Sequence, residues 1–488
     1  MPLIAFDRAS GRFHRQVYDG YRAAILEGRL RAGQRVPSTR AAARELGISR
    51  LPVLNAFEQL RHEGYLECRA GSGTYVAATM LDRASGARRN PRSGTRSPTP
   101  PSPLPKAWRD AGASVPQADL GAFRVSQPAL EHFPHKTWAR LVSRHARRMP
   151  IELMAYGKPA GHIPLRHAIA DYLRTARAVA CDASQILIVS GSQMALQLCA
   201  RVLLKAGDSF GFEEPGYPGA RNALGATGAV LRTVAVDGDG LVVQSMDRDA
   251  QAACVTYVTP SHQYPLGVSM NVTRRLQLLD WARRHRSWII EDDYDSEYRY
   301  ASRPLPALHG MDDAARVIYV GTFSKVLFPA LRVGYLVAPP SLVDSFVAHR
   351  DALDLFSPTL YQLALADFLC DGHFGRHVRR MRAIYQGRRD ALVEAIRHRL
   401  DGILTIVNSD AGMHLTAWLP AGIDDREVVR RAAMRGINAT ALSSCFAGKP
   451  GRPGLVLGFG SIREEAVVPA VESLARAIED AGGDVFGG

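Results

Sequence analysis

Apolar residues recur at helical spacing through His14–Glu27, with Val17, Tyr21, Ile25 and Leu26 on or near one face. A turn follows over Gly28 to Pro37, and Ser38 stands where a helix over Thr39–Leu46 needs an N-cap. Gly47 suits the left-handed residue that ends such a helix. Ser49 can cap a third helix from Arg50 to Glu63, with Val53, Phe57 and Leu60 inward and Gly64 as its stop. Tyr65–Cys68 and Thr74–Val76 then read as a strand pair around Arg69-Ala70-Gly71-Ser72-Gly73. From about Ala107 the pattern changes to helical stretches alternating with short apolar runs, among them Ile186–Val189, Ala253–Val258, Trp288–Glu291 and Val317–Val320. Such runs predict the buried strands of an α/β sheet. Between the two zones, residues 80–106 lose periodicity and fill with Pro, Arg and Ser, which predicts an extended linker. Three parts are thus expected: 1–79, 80–106 and 107–488.

Charge sharpens this division. The chain of 488 residues carries a formal net charge of +14. Residues 1–79 hold 12 Arg, no Lys and 7 acidic residues, and residues 80–110 hold 6 Arg, 1 Lys and 2 acidic residues. Most of the excess therefore sits in the first 110 residues, as in a nucleic-acid-binding head on a near-neutral body. A merely solvated basic face would explain the charge alone equally well. No apolar run approaches the roughly 18 residues of a membrane span, and residues 1–19 lack the apolar stretch of a secretory signal. The six cysteines are scattered without a CxxC pair, which favours reduced thiols, a cytoplasmic location and no metal site.

Helix, tight turn, helix and a two-stranded wing is a layout that sets one helix in a major groove. The residues 37–50 (PSTRAAARELGISR), 56–67 (AFEQLRHEGYLE) and 71–76 (GSGTYV) resemble the winged helix-turn-helix of the GntR family. The resemblance implies that Arg40, Ser49 and Arg50 meet phosphates or base edges, and that Gly71, Ser72 and Gly73 bring the wing backbone to the minor groove. One departure concerns the two positions after Arg50, usually polar in that family and here Leu51 and Pro52.

Five motifs in the large part bear on one chemistry. Gly321-Thr322-Phe323-Ser324-Lys325 follows an apolar strand in a chain with only six lysines. An amine that bonds to a carbonyl must lose its proton, which Arg cannot do. Taken alone, the pentapeptide fits a surface lysine better. Seven residues on, Arg332 can offer two N–H groups to a phosphate. Asp292, at the end of another strand, is placed to keep a pyridine nitrogen protonated. Ser190-Gly191-Ser192-Gln193 opens a helix expected over Met194–Leu204, and free N–H groups there suit a phosphate. Tyr217, in Glu214-Pro215-Gly216-Tyr217-Pro218-Gly219, can stack on a ring. Tyr156 lies in Tyr156-Gly157-Lys158-Pro159-Ala160-Gly161. The last two motifs are individually weak, and taken alone each fits a loop or core tyrosine better.

In order, and joined to the head, the motifs resemble the MocR/GabR subfamily of GntR regulators, with 258–267 (VTPSHQYPLG), 289–300 (IIEDDYDSEYRY) and 321–335 as the most specific stretches. The resemblance implies an α/β fold with an N-terminal winged helix-turn-helix, a large domain like a fold-type I aminotransferase and a small C-terminal α/β subdomain. It implies pyridoxal 5'-phosphate as cofactor, with Lys325 forming the internal aldimine and Asp292 pairing with the ring nitrogen. Tyr217 would stack on the ring, and Ser192, Gln193 and Arg332 would hold the phosphate. Tyr294 and His262 would lie near the ring hydroxyl, and Tyr156 would reach the phosphate of a partner subunit in a head-to-tail homodimer.

Two departures bear on function. Where aminotransferases of this fold place Asn before a Pro-x-Gly turn, this chain has Tyr264. The late strand Leu455–Phe459 holds no Arg for a substrate carboxylate; Arg452 and Arg463 only flank it. The leading expectation is therefore a regulator of double-stranded operator DNA whose effector is the cofactor itself, an amine or an amino acid. An aminotransferase with a fused basic head, and an architectural DNA-binding dimer, are the alternatives.

Overall fold

The computed structural model describes residues 6–7, 11–77, 121–248, 253–300, 305–408 and 410–482. The chain divides into two compact units, Met1–Pro103 and Leu104–Gly488. The expected linker, 80–106, and residues 107–120 lie outside the described residues.

In the first unit, α1 (Phe13–Leu26), α2 (Thr39–Leu46) and α3 (Arg50–His62) precede a hairpin of β1 (Leu66–Arg69) and β2 (Gly73–Val76). Ser38 caps α2, its hydroxyl accepting from the Ala41 amide at 3.2 Å, and Gly47 closes it at φ +66. Ser49 occupies the N-cap position of α3 but makes no capping hydrogen bond, contrary to the expectation. Its hydroxyl is left on an exposed surface. Leu26 is likewise half exposed, because Ala24 takes the inward position beside Val17, Tyr21 and Ile25. From α3, Val53, Phe57 and Leu60 point inward as expected. Phe57 meets Tyr21 edge-on with ring centres 4.9 Å apart, at the centre of this small core. The wing turn needs its glycines: Gly71 and Gly73 have φ +72 and +116, and a Cβ on Gly73 would sit 3.0 Å from the Arg35 side chain.

The second unit is built on an eight-stranded sheet in the order β3-β10-β9-β8-β7-β4-β5-β6. Its strands are β3 (Ile186–Val189), β4 (Ser209–Glu214), β5 (Val230–Asp237), β6 (Gly240–Leu241), β7 (Val255–Val258), β8 (Trp288–Asp293), β9 (Val317–Thr322) and β10 (Gly334–Val337). Strands β4, β5, β7, β8 and β9 run parallel, whereas β10 is antiparallel to both β3 and β9. Strands β3, β7, β9 and β10 are buried at every residue because both faces of the sheet are covered. Period-two alternation sorts them: Leu187, Val189 and Leu336 join the core under the helix Ser192–Leu203, while Ile186, Ile188, Tyr335 and Val337 join the core under Ile163–Arg177 and Thr359–Cys370. The carboxyl ends of β3, β4, β7, β8 and β9 therefore lie along one edge, where ligands of open α/β sheets bind.

A second, antiparallel sheet has the order β11-β12-β14-β13, with β11 (Thr405–Asn408), β12 (His414–Trp418), β13 (Thr440–Ala441) and β14 (Gly454–Gly458). Helices His373–Arg399 and Glu464–Ala481 pack with it in one core. Residues 121–129 run beside this sheet as a strap. The Gly458 amide donates to Phe123 O at 2.8 Å and the Asn438 amide to Ala122 O at 2.7 Å. Phe123 and Ser126 both hold positive φ, +65 and +66, a strained conformation for side-chain-bearing residues.

Removing the Phe57 ring is expected to cost about 3–5 kcal/mol, the usual loss for Phe→Ala in a core. Calorimetry of Phe57→Ala should show the first unit melting early while the main transition of the second unit keeps its midpoint. An unchanged thermogram would contradict the packing described.

Candidate cofactor site and DNA-reading head

One pocket at the carboxyl edge of the large sheet is lined by Ser126, Ser192, Tyr217, Tyr257, Thr259, Tyr264, Asp292, Tyr294 and Lys325. Register explains the grouping. Asp292 on β8 pairs with Val320 on β9, so Lys325, just beyond the end of β9, returns over the same edge. Gly334 on β10 pairs with both Val189 and Thr322, which carries Arg332 to the start of the helix that follows β3. Arg332 holds φ +51 and donates to Ser190 O at 2.6 Å. A Cβ on Gly191 would come within 3.0 Å of its guanidinium, so only glycine allows this approach.

Asp292 is almost fully buried, and its Oδ2 accepts from Tyr257 Oη at 2.9 Å. Its Oδ1 is buried with no hydrogen-bond partner among the described residues. Burial raises the Asp292 carboxyl to about 7; the Tyr257 hydroxyl opposes this, Asp293 adds to it, and Lys325 opposes it. Lys325 is half-buried, and its Nζ donates to Ser126 O at 3.2 Å. Desolvation lowers its amine to about 8, against the pull of Asp295 and Asp292 and with the push of Arg332 and Arg124. A partly buried amine of lowered basicity and a buried carboxyl of raised pKa thus share one pocket. A ring N–H would fit the unpartnered Asp292 oxygen, and the helix opening at Ser192 together with Arg332 would suit a phosphate.

The other expected site residues are placed as follows. Gln193 Nε2 donates to Tyr217 Oη at 3.0 Å, and the Tyr217 ring meets Tyr264 edge-on at 5.6 Å. Tyr294 Oη lies 2.9 Å from His262 O and 3.1 Å from His262 Nδ1. His262 does not line the pocket; it is buried behind Tyr294, with Nδ1 3.1 Å from both oxygens of Asp295. His262, Asp295 and His414 bring ligating atoms within 4.8 Å of one another. Their contacts account for them as a hydrogen-bonded network, since His414 Nε2 lies 3.2 Å from Pro265 O. Burial, then His262, drives the His414 imidazole far down, so it stays neutral. Tyr156 is 84% exposed, packs edge-on to Phe356 and does not enter its own chain's pocket.

Sequence reading missed four participants. Tyr257 sat within an apolar strand and read as core; only its place beside β8 reveals the hydroxyl's task. Thr259 binds the buried Glu213 carboxyl through its hydroxyl, at 2.7 Å, and through its amide. Glu213 is raised to about 7 by burial. Asp295 lay inside a quoted motif without a role. Ser126 gave no signal, because it contributes a backbone carbonyl held in place by the strap.

In the first unit, Arg40, Ser49, Arg50, Gly71, Ser72 and Gly73 are all exposed. Arg50 Nε donates to Thr39 Oγ1 at 3.1 Å, tying the start of α3 to the start of α2. Ser72 Oγ lies 2.6 Å from Tyr75 Oη in the wing.

Residues 13–76 match the gntR family of bacterial regulatory proteins, and residues 125–456 match aminotransferase class I and II. The LysN α-aminoadipate aminotransferase of Thermus thermophilus, solved with N-(5'-phosphopyridoxyl)-L-leucine, superposes with a TM-score of 0.71 at 27% identity, covering 77% of this chain and 97% of its own. The protein is thus a DNA-binding regulator type whose large domain has the pyridoxal-phosphate-binding aminotransferase fold. A probable rhizopine catabolism regulatory protein, MocR of Rhizobium meliloti, is 41% identical over 97% of this chain and 96% of its own. The pyridoxine biosynthesis regulator PdxR of Corynebacterium glutamicum is 32% identical over 95% of each. The chain belongs to the MocR subfamily of GntR-type transcription regulators.

Because the amine must be neutral to attack an aldehyde, cofactor uptake should quicken as pH rises through about 8, the lowered value of Lys325, and not through 10.5. Stopped-flow absorbance after mixing with pyridoxal phosphate measures this. A midpoint near 10.5 would mean the amine is hydrated.

Proposed function

We propose that this regulator uses its pyridoxal phosphate pocket to sense a small molecule and, through that, alters operator binding. The observation that carries the proposal is the unpartnered Asp292 oxygen in the same pocket as a lysine of lowered basicity. When bound, the cofactor supplies an aldehyde carbon and an electron-drawing ring. Asp292 holds the ring nitrogen's proton, and Lys325 presents the amine. Tyr217 covers the ring face, with Gln193 fixing its hydroxyl. Ser192, Gln193 and Arg332 hold the phosphate. Tyr294, backed by His262, faces the ring hydroxyl.

The division 1–79, 80–106 and 107–488 gives the sensor and the DNA reader separate cores joined by a linker. Arg40, Ser49, Arg50 and the wing residues Gly71, Ser72 and Gly73 contact double-stranded DNA. Tyr156 completes the pocket of a partner subunit in a head-to-tail homodimer, which accounts for a tyrosine left 84% exposed on its own chain. A regulator that reads the genome works in the cytoplasm.

The effector is the cofactor itself, an amine or an amino acid. The cofactor is favoured, because β14 carries no arginine to clamp a carboxylate. Of the two flanking arginines, Arg452 lies over the Trp418 ring and bonds Leu419 O, and Arg463 starts the last helix.

Lys325→Ala should lose all cofactor fixed by borohydride and melt as the parent does, while its operator binding no longer responds to added pyridoxal phosphate. Mass spectrometry locates any adduct, and one at another lysine overturns the assignment. Arg50→Ala should weaken operator binding about ten-fold without moving the cofactor's absorption, as expected for a lost charged contact. Unchanged affinity in fluorescence anisotropy would mean that α3 does not face DNA.

A further inference from the structure

Leu51, the second residue of α3, is 63% exposed. The helix does not lack an apolar face, since Val53, Ala56, Phe57 and Leu60 are all buried. A single exposed leucine is ordinary on a protein surface. Its setting here is not ordinary. Exposed Arg40, Arg44 and Arg50 stand on α2 and at the start of α3, so the surface around Leu51 suits a polyanion and repels a basic partner. Pro52 follows, and in a first helical turn it forfeits no helical hydrogen bond. The first turn of this helix therefore brings Arg50 as its polar reader and an apolar side chain directly after it.

Residues at the amino end of a recognition helix meet base edges in the major groove. The apolar group exposed there is the thymine C5-methyl; the other base edges present donors and acceptors. We infer that Leu51 is a specificity-determining residue that packs on a thymine methyl in each operator half-site. The inference rests on α3 being the base-reading helix. The leucine gains nothing from phosphates, so its contribution is to sequence selection and not to general affinity.

Binding sites selected by the full-length protein from a random duplex pool provide the probe. Each thymine is then replaced in turn by deoxyuridine, which differs only by the absent methyl. At one thymine per half-site, affinity of the parent should fall about four-fold, the worth of one buried methyl group. Leu51→Ala should bind the thymine and deoxyuridine duplexes equally, while non-specific DNA affinity stays unchanged. Because Leu51 is exposed, the variant keeps its fold, which its melting temperature checks. Two outcomes overturn the inference: no thymine whose methyl matters, or a methyl effect that persists in Leu51→Ala. Failure to enrich any sequence would overturn the base-reading role of α3 as well.

Discussion

The site depends on keeping water away from two groups that prefer it. Asp292 and Lys325 are both desolvated, and burial pushes the carboxyl up toward 7 and the amine down toward 8. Their mutual attraction opposes both shifts without cancelling them. Each group is therefore poised to change protonation when a partner arrives. One carboxylate oxygen is already engaged by Tyr257, which orients the acid and leaves the other oxygen for a ligand. An unsatisfied buried oxygen is costly in a folded protein. In the proposed function the ring nitrogen of the cofactor would supply the missing hydrogen.

The sheet makes this arrangement possible. Parallel strands end together, and short returns from β8 and β9 deliver Asp292 and Lys325 to one edge. The antiparallel strand β10 brings Arg332 beside Gly191, against the helix whose free amides face the same way. The strap over residues 121–129 adds a second link. It is hydrogen-bonded to β14 at one point and offers the Ser126 carbonyl to Lys325 at another.

The two units are built on different principles, as their tasks require. The first is small and arginine-rich, with the Tyr21–Phe57 contact at the centre of its core. The second buries several of its charges. Arg177 and Asp293 form a buried pair at 2.7 Å, and Arg275 bonds only backbone carbonyls, with Glu291 3.9 Å away.

Much was legible in the chain itself. Periodicity located α2 and β3 to the residue, because Ser38, Gly47 and an unbroken apolar run mark their ends chemically. The motifs singled out Asp292 and Lys325, and the structure brings the two into one pocket. Local sequence failed where a role depends on what lies across the fold. Ser49 stands at the N-cap but makes no capping hydrogen bond, and its residue is exposed. Tyr257 reads as core, and Ser126 acts through a carbonyl that any residue possesses. Sequence thus determined the chemical types and the order of the elements, whose signals are local. Tertiary structure alone decided which oxygen is left unpaired and how dry the lysine is, because burial and partnership come from residues distant along the chain.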